Sequence, residues 1–336
     1  MTQVSFVTGG TGFIGAALTE RLINEGHEVR VLARNPEKAK ALFGDRVTIV
    51  TGDLLDGAVL RKGLEGVDYV FHLAAAVGDY GPRKEFFRVN RDGTLALVDA
   101  AAAAGVSRFI YMSSNAVIGM KREKVTTEET PYSDSGGYYG MSKGIAEREI
   151  LRRHREEGFP GVILRPPAVY GPGSPNWVLR IVELMKEGRM TLIGNGRGVC
   201  WLIYIDNLVD ATMLALTNDR APGEVFIVTD DRSMPPDALT WHTYFNTLAE
   251  VAGFPPVKKN VPALVAKILA NVMYALYVVF NKKPLLTPMG VGIMTTSTGI
   301  SCEKAKRVLS YSPRIDLQEG MRRVGAHLRE TGVIES

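Results

Sequence analysis

The chain has 336 residues, of which 46% are hydrophobic and 23% charged, the composition of a folded globular protein. Its 40 basic and 36 acidic residues are spread along the whole length and give a net charge of +4, so no basic stripe indicates a nucleic-acid partner. The two cysteines, Cys200 and Cys302, are too few for a disulfide framework and lack metal-ligand spacing with the histidines. We expect no metal site. Because the first residues lack a signal-peptide pattern, we also expect a cytoplasmic protein.

Short β-branched segments alternate with longer helical patterns up to about residue 166. The pattern predicts strands at 4–8, 28–33, 47–50, 69–74, 108–113 and 162–165. It predicts helices near 12–26, 56–65, 85–104 and 139–157. Apolar strands joined by helical crossovers are typical of an α/β fold with a doubly wound, parallel, Rossmann-type sheet.

The second half of the chain is less regular. Helices are expected near 176–188 and 206–217, and a strand at 224–228 is expected to join the first domain. We therefore divide the chain into a dinucleotide-binding domain over 1–170 and a smaller, mostly helical substrate-binding region over 171–336. Open α/β sheets bind ligands at the carboxyl edge of their strands, so this second region should shape the substrate pocket.

Three glycines, Gly9, Gly12 and Gly15, lie between the first strand and the first helix in the segment "VTGGTGFIG". A tight turn, a close approach of the backbone to a pyrophosphate and close helix packing each favour a residue without a Cβ. The spacing is GxxGxxG rather than GxGxxG. In this strand–turn–helix context it indicates a dinucleotide site.

The end of the second strand bears on the choice of cofactor. Arg34 stands where NAD-binding proteins often carry an acidic residue, and its guanidinium suits the 2′-phosphate of NADP, with Lys38 one helical turn further on. The alternative is a solvated surface arginine. Asp53 follows the third strand, where it would either contact the adenine end of the cofactor or cap a helix.

Tyr139 and Lys143 occur in "GGYYGMSK", where a helix starting near Tyr138 would place them four residues apart on one face. A positive charge at about 4 Å and an effective dielectric of about 20 is worth roughly 4 kcal/mol, or about three pKa units. We therefore expect Lys143 to lower the pKa of Tyr139 and to make it an acid–base group. A surface helix with an exposed Tyr and Lys is the alternative, but Ser113 and Ser114 at the end of the fifth strand favour a catalytic site.

Several motifs in order along the first 215 residues resemble the extended short-chain dehydrogenases/reductases of the NAD-dependent epimerase/dehydratase superfamily. They are "TGGTGFIG" (8–15), "GDLLD" (52–56), "HLAA" (72–75), "VNRDGT" (89–94), "SSNAVIG" (113–119), "YYGMSK" (138–143), "LRPPAVYGPG" (164–173) and "LIYIDNLVDA" (202–211). The resemblance implies a Rossmann fold, a nicotinamide cofactor and a homodimer formed through the helices at 85–104 and 139–157.

The resemblance also implies residue roles. Tyr139 would be the acid–base residue, Lys143 would bind the ribose, and Ser114, five residues before Gly119, would orient the reacting oxygen. Asn90 matches a structural asparagine. The remaining cofactor contacts would come from Thr11, Phe13, Ile14, Leu54, Leu73, Ala74, Ala75, Pro166 and Val169, and substrate contacts from Ser114, Tyr170 and Cys200.

One departure concerns the substrate. Members that act on nucleotide sugars typically carry an arginine for the diphosphate at the position of Cys200, and a buried diphosphate without it would be poorly neutralised. Arg197 or Arg180 would have to replace it. The pattern of the tail at 284–320 resembles that of the 3β-hydroxysteroid and sterol-4-carboxylate dehydrogenases. In contrast, an arginine at the end of the second strand, here Arg34, resembles the dihydroflavonol reductase-like members, which use NADP.

The second departure is the apolar segment 261–280, flanked by Lys258-Lys259 and Lys282-Lys283. As a helix it is apolar nearly all round, apart from a narrow polar stripe formed by Lys267, Asn271 and Tyr274. It would pack over the substrate pocket, lie at a membrane interface, or form a membrane span or a dimer contact.

Together these features predict an NAD(P)-dependent oxidoreductase, with NADP preferred and NAD possible, that interconverts a secondary alcohol and a ketone on a hydrophobic substrate. Peripheral membrane contact through 261–280 is compatible with an enzyme that acts on such a substrate. A nucleotide-sugar epimerase or dehydratase of the same fold is the alternative. A non-catalytic NADP-sensing protein is the remote alternative, since it would need neither Tyr139 nor Lys143.

Overall fold

The computed structural model describes residues 2–119 and 124–335. Its centre is a seven-stranded, entirely parallel sheet with the strand order β11-β7-β5-β4-β1-β2-β3. These strands are β1 (Val4–Thr8), β2 (Glu28–Ala33), β3 (Thr48–Thr51), β4 (Tyr69–His72), β5 (Arg108–Met112), β7 (Gly161–Arg165) and β11 (Val225–Ile227). The order reverses between β1 and β4, which makes their carboxyl ends the ligand-binding edge of such a sheet.

Six short strands form three parallel pairs outside this sheet. They are β6 (Val125–Thr126) with β13 (Gly299–Ile300), β8 (Ala168–Tyr170) with β10 (Leu202–Tyr204), and β9 (Leu192–Ile193) with β12 (Asn260–Val261). These pairs connect the second half of the chain to the carboxyl side of the main sheet, since β8 and β6 follow β7 and β5 in the chain.

The described helices cover both faces of the sheet and most of the second half. They are α1 (Phe13–Asn24), α2 (Pro36–Phe43), α3 (Gly57–Gly63), α4 (Arg83–Phe86), α5 (Thr94–Ala104), α6 (Gly137–Glu157), α7 (Arg180–Lys186), α8 (Ile205–Thr217), α9 (Trp241–Val251), α10 (Ala263–Phe280), α11 (Pro288–Thr295), α12 (Glu303–Leu309) and α13 (Leu317–Glu330). A π-helical turn, Phe87–Gly93, joins α4 to α5.

Adjacent residues of the central strand point to opposite sides of the sheet. Phe6 packs in a core with Leu97 of α5 and Ile150 of α6, whereas Val7 packs in a second core with Leu18 of α1 and further side chains of the second half. Because both faces are covered, the inner strands are mostly apolar, and β5 and β7 are buried at every position. The doubly wound α/β fold expected from the sequence is confirmed.

Most element boundaries agree with the expected ones within two residues, and three differences affect the site. The strand expected at 69–74 ends at His72, so Leu73 to Ala75 form a loop. The helix expected at 85–104 is interrupted by the π-helical turn. The helix α2 was not expected; it begins behind Asn35, whose side chain accepts a hydrogen bond from the Lys38 N–H.

Helix α10 lies at the surface. It is long and apolar enough to cross a membrane by length and composition, with a mean hydropathy of 1.9, yet only 11% of it is buried in the protein. Its two buried side chains, Ala266 and Ala270, pack in a small cluster with Ile193 and Val291. Helix α10 is therefore buried along one narrow side only.

Candidate active site

The glycine-rich turn after β1 is too crowded for side chains. Gly9 has a φ of +72°, and a Cβ added there would lie 2.6 Å from the backbone nitrogen of Ala74. A Cβ at Gly15 would lie 2.1 Å from the carbonyl oxygen of Gly9, and one at Gly10 would meet Val31 at 2.9 Å. Gly9 thus holds the turn against the loop after β4, Gly12 and Gly15 lie against the Gly9 carbonyl, and Gly10, which the spacing did not single out, packs against β2.

This turn fits a dinucleotide pyrophosphate. Gly12 caps α1 without a side-chain hydrogen bond, and no acidic residue occupies the first turn of the helix in the described chain. The first N–H groups of α1 and its positive dipole end are therefore available to an anion. Thr11, Phe13 and Ile14 are partly exposed here, as are Leu73, Ala74 and Ala75 across the crevice.

A buried polar chain connects the two ends of the site, starting beside the glycine turn. Thr8 Oγ1 lies 2.6 Å from His72 Nδ1, and His72 Nε2 lies 2.8 Å from Thr94 Oγ1. The Thr94 hydroxyl donates in turn to the carbonyl oxygen of Asn90. Burial lowers the pKa of His72 well below its usual value, so the imidazole is neutral and acts as a structural bridge.

Asn90 continues this chain toward the catalytic helix. Its side-chain amide accepts a hydrogen bond from the Ala76 N–H at 2.7 Å and donates to the Ala76 carbonyl at 2.9 Å and to Ser142 Oγ at 3.1 Å. Ser142 donates to the carbonyl oxygen of Tyr139. Asn90 lies in the π-helical turn and thereby holds the loop after β4 against the start of α6.

Close packing sets the position of Ser114 against α6. A Cβ at Gly136 would lie 1.8 Å, and one at Gly140 2.3 Å, from the carbonyl oxygen of Ala116. Ser114 precedes a short 3₁₀ turn, Asn115–Ile118, and caps it by accepting a hydrogen bond from the Ala116 N–H. The glycines around the two tyrosines thus bring this turn directly onto the amino end of α6.

Tyr139 and Ser114 meet at this contact. Burial raises the pKa of Tyr139 above its usual value, and the nearby Ser114 hydroxyl acts in the opposite direction with a smaller effect. Lys143 is not among the influences on this pKa, so the expected lowering of the Tyr139 pKa by Lys143 is not found in this structure. The ring of Tyr139 packs edge-on to Phe86 with centroids 6.5 Å apart, and this surrounding favours the neutral phenol.

Lys143 lies one helical turn after Tyr139 and is 1% exposed. Its ammonium donates a hydrogen bond of 2.7 Å to the carbonyl oxygen of Met112 and lies 4.5 Å from the centroid of the Tyr111 ring. Burial lowers the pKa of Lys143 to about 7, and Glu147 opposes that shift. The amine can therefore exist in both protonation states near neutral pH.

An ion pair beneath Lys143 was not expected from the sequence. Glu147, on the next turn of α6, pairs with Arg165 at 2.6 Å, with side-chain exposures of 0% and 2%. Tyr132 donates a further hydrogen bond to Glu147 at 2.9 Å. The i, i+4 repeat of Tyr139, Lys143 and Glu147 was the available signal, since it places a carboxylate on the face that carries the other two.

The expected cofactor residues of the second and third strands lie at the same carboxyl edge. Arg34 and Lys38 are exposed, and neither forms an ion pair with any residue in the described ranges. Asp53 is partly buried and accepts a hydrogen bond from the Leu55 N–H at 3.0 Å. The cap of α3 is Asp56, so the alternative role of Asp53 as a helix cap was wrong. Leu54 is buried against Gly93.

Pro166 and Val169 follow β7. The Pro166 carbonyl oxygen accepts a hydrogen bond from the Asn115 N–H at 3.1 Å, which places this segment beside Ser114. Val169 lies in β8 and pairs with Ile203 of β10. Both residues are buried.

The proposed substrate residues Tyr170 and Cys200 lie apart from Ser114. Both border a cavity of about 80 Å³ that Asp230, Leu239 and Ile315 also line. Tyr170 is 1% exposed and packs edge-on to Tyr204 and Tyr244. Burial raises the pKa of the Cys200 thiol well above its usual value. In this structure both residues are core side chains, and only Ser114 of the three lies beside Tyr139.

Comparisons with known proteins agree with this site. Residues 5–228 match the model of the NAD dependent epimerase/dehydratase family. The chain is 30% identical over 339 residues to the 2-alkyl-3-oxoalkanoate reductase of Shewanella oneidensis, covering 96% of this chain and 86% of that protein. It is 31% identical to the decarboxylating sterol-4-alpha-carboxylate 3-dehydrogenase of Bos taurus, covering 94% and 89%.

A solved structure, that of gox2253, superposes with a TM-score of 0.81 at 28% identity and covers 99% of this chain and 100% of that one. The expected resemblance to the extended short-chain dehydrogenases/reductases is confirmed. With its glycine turn, its Ser-Tyr-Lys group and these matches over most of its length, the chain is an oxidoreductase that belongs to the NAD dependent epimerase/dehydratase family.

Proposed function

We propose that this enzyme interconverts a secondary alcohol and a ketone on a lipophilic substrate, with Tyr139 as its acid–base residue. The observation that carries this proposal is the placement of the Ser114 hydroxyl beside Tyr139, one helical turn from the buried ammonium of Lys143. The group lies at the carboxyl edge of the sheet, on the same side as the glycine turn.

The chemistry follows from the state of these three side chains. A bound NAD(P) supplies or accepts the hydride. Because burial raises the pKa of Tyr139, its hydroxyl stays protonated at neutral pH and can donate its proton to a ketone oxygen. Ser114 is partly exposed and can donate a second hydrogen bond to that oxygen. Lys143, with a pKa of about 7, is suited to return a proton to Tyr139.

Three observations support a lipophilic substrate. Cys200, at the position where nucleotide-sugar enzymes carry an arginine, is a buried thiol that burial keeps neutral. Arg197 and Arg180, the possible replacements, are both exposed. The relatives described above are by name a reductase of 2-alkyl-3-oxoalkanoates and a dehydrogenase of sterol-4-alpha-carboxylates, and both names denote a hydrocarbon skeleton that carries a carboxylate.

The remaining parts of the proposal concern cofactor, assembly and location. Arg34 is exposed without an ion pair among the described residues, so its guanidinium is available to a 2′-phosphate, which favours NADP over NAD. The outer sides of α5 and α6 would form the homodimer. Two buried free thiols, Cys200 and Cys302, fit a reducing cytoplasm, and the segment 261–280 would supply peripheral membrane contact.

A substrate panel tests the proposal. The purified protein is assayed at the nicotinamide absorbance band with NADPH and NADH against steroid ketones, long-chain 3-oxo acids and esters, and nucleotide sugars. We expect turnover of the apolar ketones with net oxidation of NADPH. Conversion of a nucleotide sugar by a tightly held cofactor, without net change at that band, would instead support the epimerase or dehydratase alternative and contradict the proposal.

A further inference from the structure

Helix α10 presents a continuous apolar face to solvent. Four apolar side chains share one side of the helix, because they are spaced four, four and seven residues apart. They are Leu264, Ile268, Val272 and Val279, and their exposed fractions are 71%, 56%, 52% and 70%. Phe280, the last residue of the helix, and Leu285, beyond its end, are exposed as well. Isolated exposed apolar side chains are ordinary, but a face of this length on one helix marks an interaction surface.

The chain segment that contains α10 carries charges of one sign only. Lys258 and Lys259 precede the helix, and Lys282 and Lys283 follow it, and all four are exposed. With Lys267 they make five lysines between residues 251 and 302, a segment that contains no Asp or Glu. An apolar face bordered by lysines at both ends complements an anionic lipid surface, where each cation near the headgroups contributes about 1 kcal/mol.

The inner side of α10 faces the start of α6. An open cavity of about 410 Å³ lies between them, lined by Tyr274, Tyr277, Val278, Val279 and Asn281 on one side and by Gly81, Pro82 and Tyr138 on the other. Tyr139 does not line it, but Tyr138 precedes Tyr139 on α6, and Pro82 immediately precedes α4, whose Phe86 packs against Tyr139. The cavity therefore borders the elements that hold Tyr139.

Two contacts fasten α10 and the segment after it to the rim of this cavity. The ring of Tyr80 packs edge-on to Tyr277 with centroids 5.4 Å apart. The hydroxyl of Thr287 donates a hydrogen bond to Asp79. The loop that contains Asp79 and Tyr80 leads into α4, whose Phe86 contacts Tyr139. One face of α10 is thus attached to the catalytic crevice while the opposite face is free.

We propose that α10 lies in the interface of an anionic lipid bilayer and that the cavity beside Tyr138 admits the lipophilic substrate from that bilayer. The face formed by Leu264, Ile268, Val272 and Val279 enters the acyl boundary, and the flanking lysines contact the headgroups. Lys267 and Asn271, exposed on the flank of this face, are suited to the headgroup level and costly in a span. The substrate class in this inference rests on the proposed function.

Vesicle sedimentation tests the docking surface. The whole protein is mixed with vesicles of phosphatidylcholine alone or with about one third phosphatidylglycerol, at low and high salt. We expect binding to the anionic vesicles that weakens with salt. Val272→Glu and Lys282→Glu/Lys283→Glu should each lower the bound fraction at least tenfold. Leu42→Glu and Arg61→Glu/Lys62→Glu make the same charge changes on α2 and α3 and should bind as the wild type does.

Two outcomes of that experiment would overturn the docking surface. One is sedimentation independent of lipid charge and of the α10 variants. The other is absence of vesicle binding together with a dimer that Val272→Glu converts to a monomer in analytical ultracentrifugation, because the face would then be covered by a second copy of the chain. Far-ultraviolet circular dichroism of each variant verifies that it is folded.

Kinetics then test the entrance. Turnover of a long-chain ketone embedded in anionic vesicles is compared with turnover of a short, water-soluble ketone. We expect Val272→Glu to lower kcat/KM for the embedded ketone at least tenfold and to leave the soluble one unchanged. Equal effects on both substrates would contradict entrance from the bilayer. Activity on the soluble ketone tests the proposed reductase function separately, so failure of either proposal is recognised on its own.

Discussion

Lys143 donates a 2.7 Å hydrogen bond to the carbonyl oxygen of Met112, the last residue of β5 and two residues before Ser114. This bond ties α6, which carries Tyr139, to the strand that leads to Ser114. It also fixes the ammonium at the carboxyl edge of the sheet, the side on which parallel α/β sheets bind their ligands. The position of Lys143 is therefore set by β5 as much as by its spacing from Tyr139.

The ion pair beneath Lys143 predicts a large loss of stability. Glu147→Gln leaves the buried guanidinium of Arg165 without its carboxylate, and breaking a buried pair typically costs about 3–5 kcal/mol. Arg165→Met should have a similar effect. The double variant should lose clearly less than the sum of the two, because it leaves no unpaired charge. Urea unfolding measures all three, and a Glu147→Gln protein as stable as the wild type would contradict this.

Asp230 predicts a pH-dependent contribution to stability. Burial raises its pKa from 3.8 to about 7, so the folded protein holds a proton there that the unfolded chain releases near pH 4. The stabilisation is complete below about pH 4 and is lost as the pH rises through about 7, by up to about 4 kcal/mol. We expect the difference in unfolding free energy between the wild type and Asp230→Asn to fall across this window. A free-energy difference between the two proteins that stays constant across this pH window would contradict the raised pKa of Asp230.

Gly15 predicts a steric effect on cofactor binding. An alanine Cβ there would lie 2.1 Å from the carbonyl oxygen of Gly9, so the turn or α1 must move. We expect Gly15→Ala to reduce the unfolding free energy by about 1–3 kcal/mol and to weaken NADPH binding at least tenfold. Gly57→Ala is the control, since its Cβ would meet only Arg61, at 3.4 Å. Fluorescence titration and thermal unfolding compare the two, and equal effects would exclude the steric explanation.

The strands were the most predictable part of this molecule. The bounds of β1, 4–8, agree with the sequence pattern because four of its five residues are buried and the buried run ends where the strand ends. Those of β2, 28–33, agree as well, although its first residue is an exposed Glu28. Helix α2 was not expected because it is short and three of its eight residues are charged. Its local signals were nevertheless present, a capping Asn35 followed by Pro36 at the first helical position.

The candidate site was predictable where it depends on local spacing and not where it depends on tertiary burial. The i, i+4 relation of Tyr139 and Lys143 follows from one helix. The raised pKa of Tyr139 follows from its packing against other elements, and spacing alone therefore gave the wrong direction. For the same reason the sequence could not show that Tyr170 and Cys200 face a separate cavity, because that depends on the segments that precede α9 and α13.

Arg34 predicts the choice between NADPH and NADH. Replacing Arg34 by Ser removes the guanidinium that we propose for the 2′-phosphate, and a hydrogen bond to a charged group is worth about 1.5–3 kcal/mol. The dissociation constant of NADPH should rise about 10- to 100-fold, while that of NADH stays the same. Arg61→Ser, on α3, is the matched control. Equal weakening of both cofactors in Arg34→Ser would argue against 2′-phosphate recognition.

The most direct test compares Tyr139→Phe with Tyr69→Phe. The variant Tyr69→Phe, at the amino end of β4, loses only a hydroxyl that accepts a hydrogen bond from the exposed Gln3. It should remain fully active. Tyr139→Phe loses the proton that we assign to the reaction, so its kcat on an apolar ketone should fall about 10²- to 10⁴-fold while NADPH binding is unchanged. Wild-type turnover by Tyr139→Phe, measured in the same assay, would contradict the account.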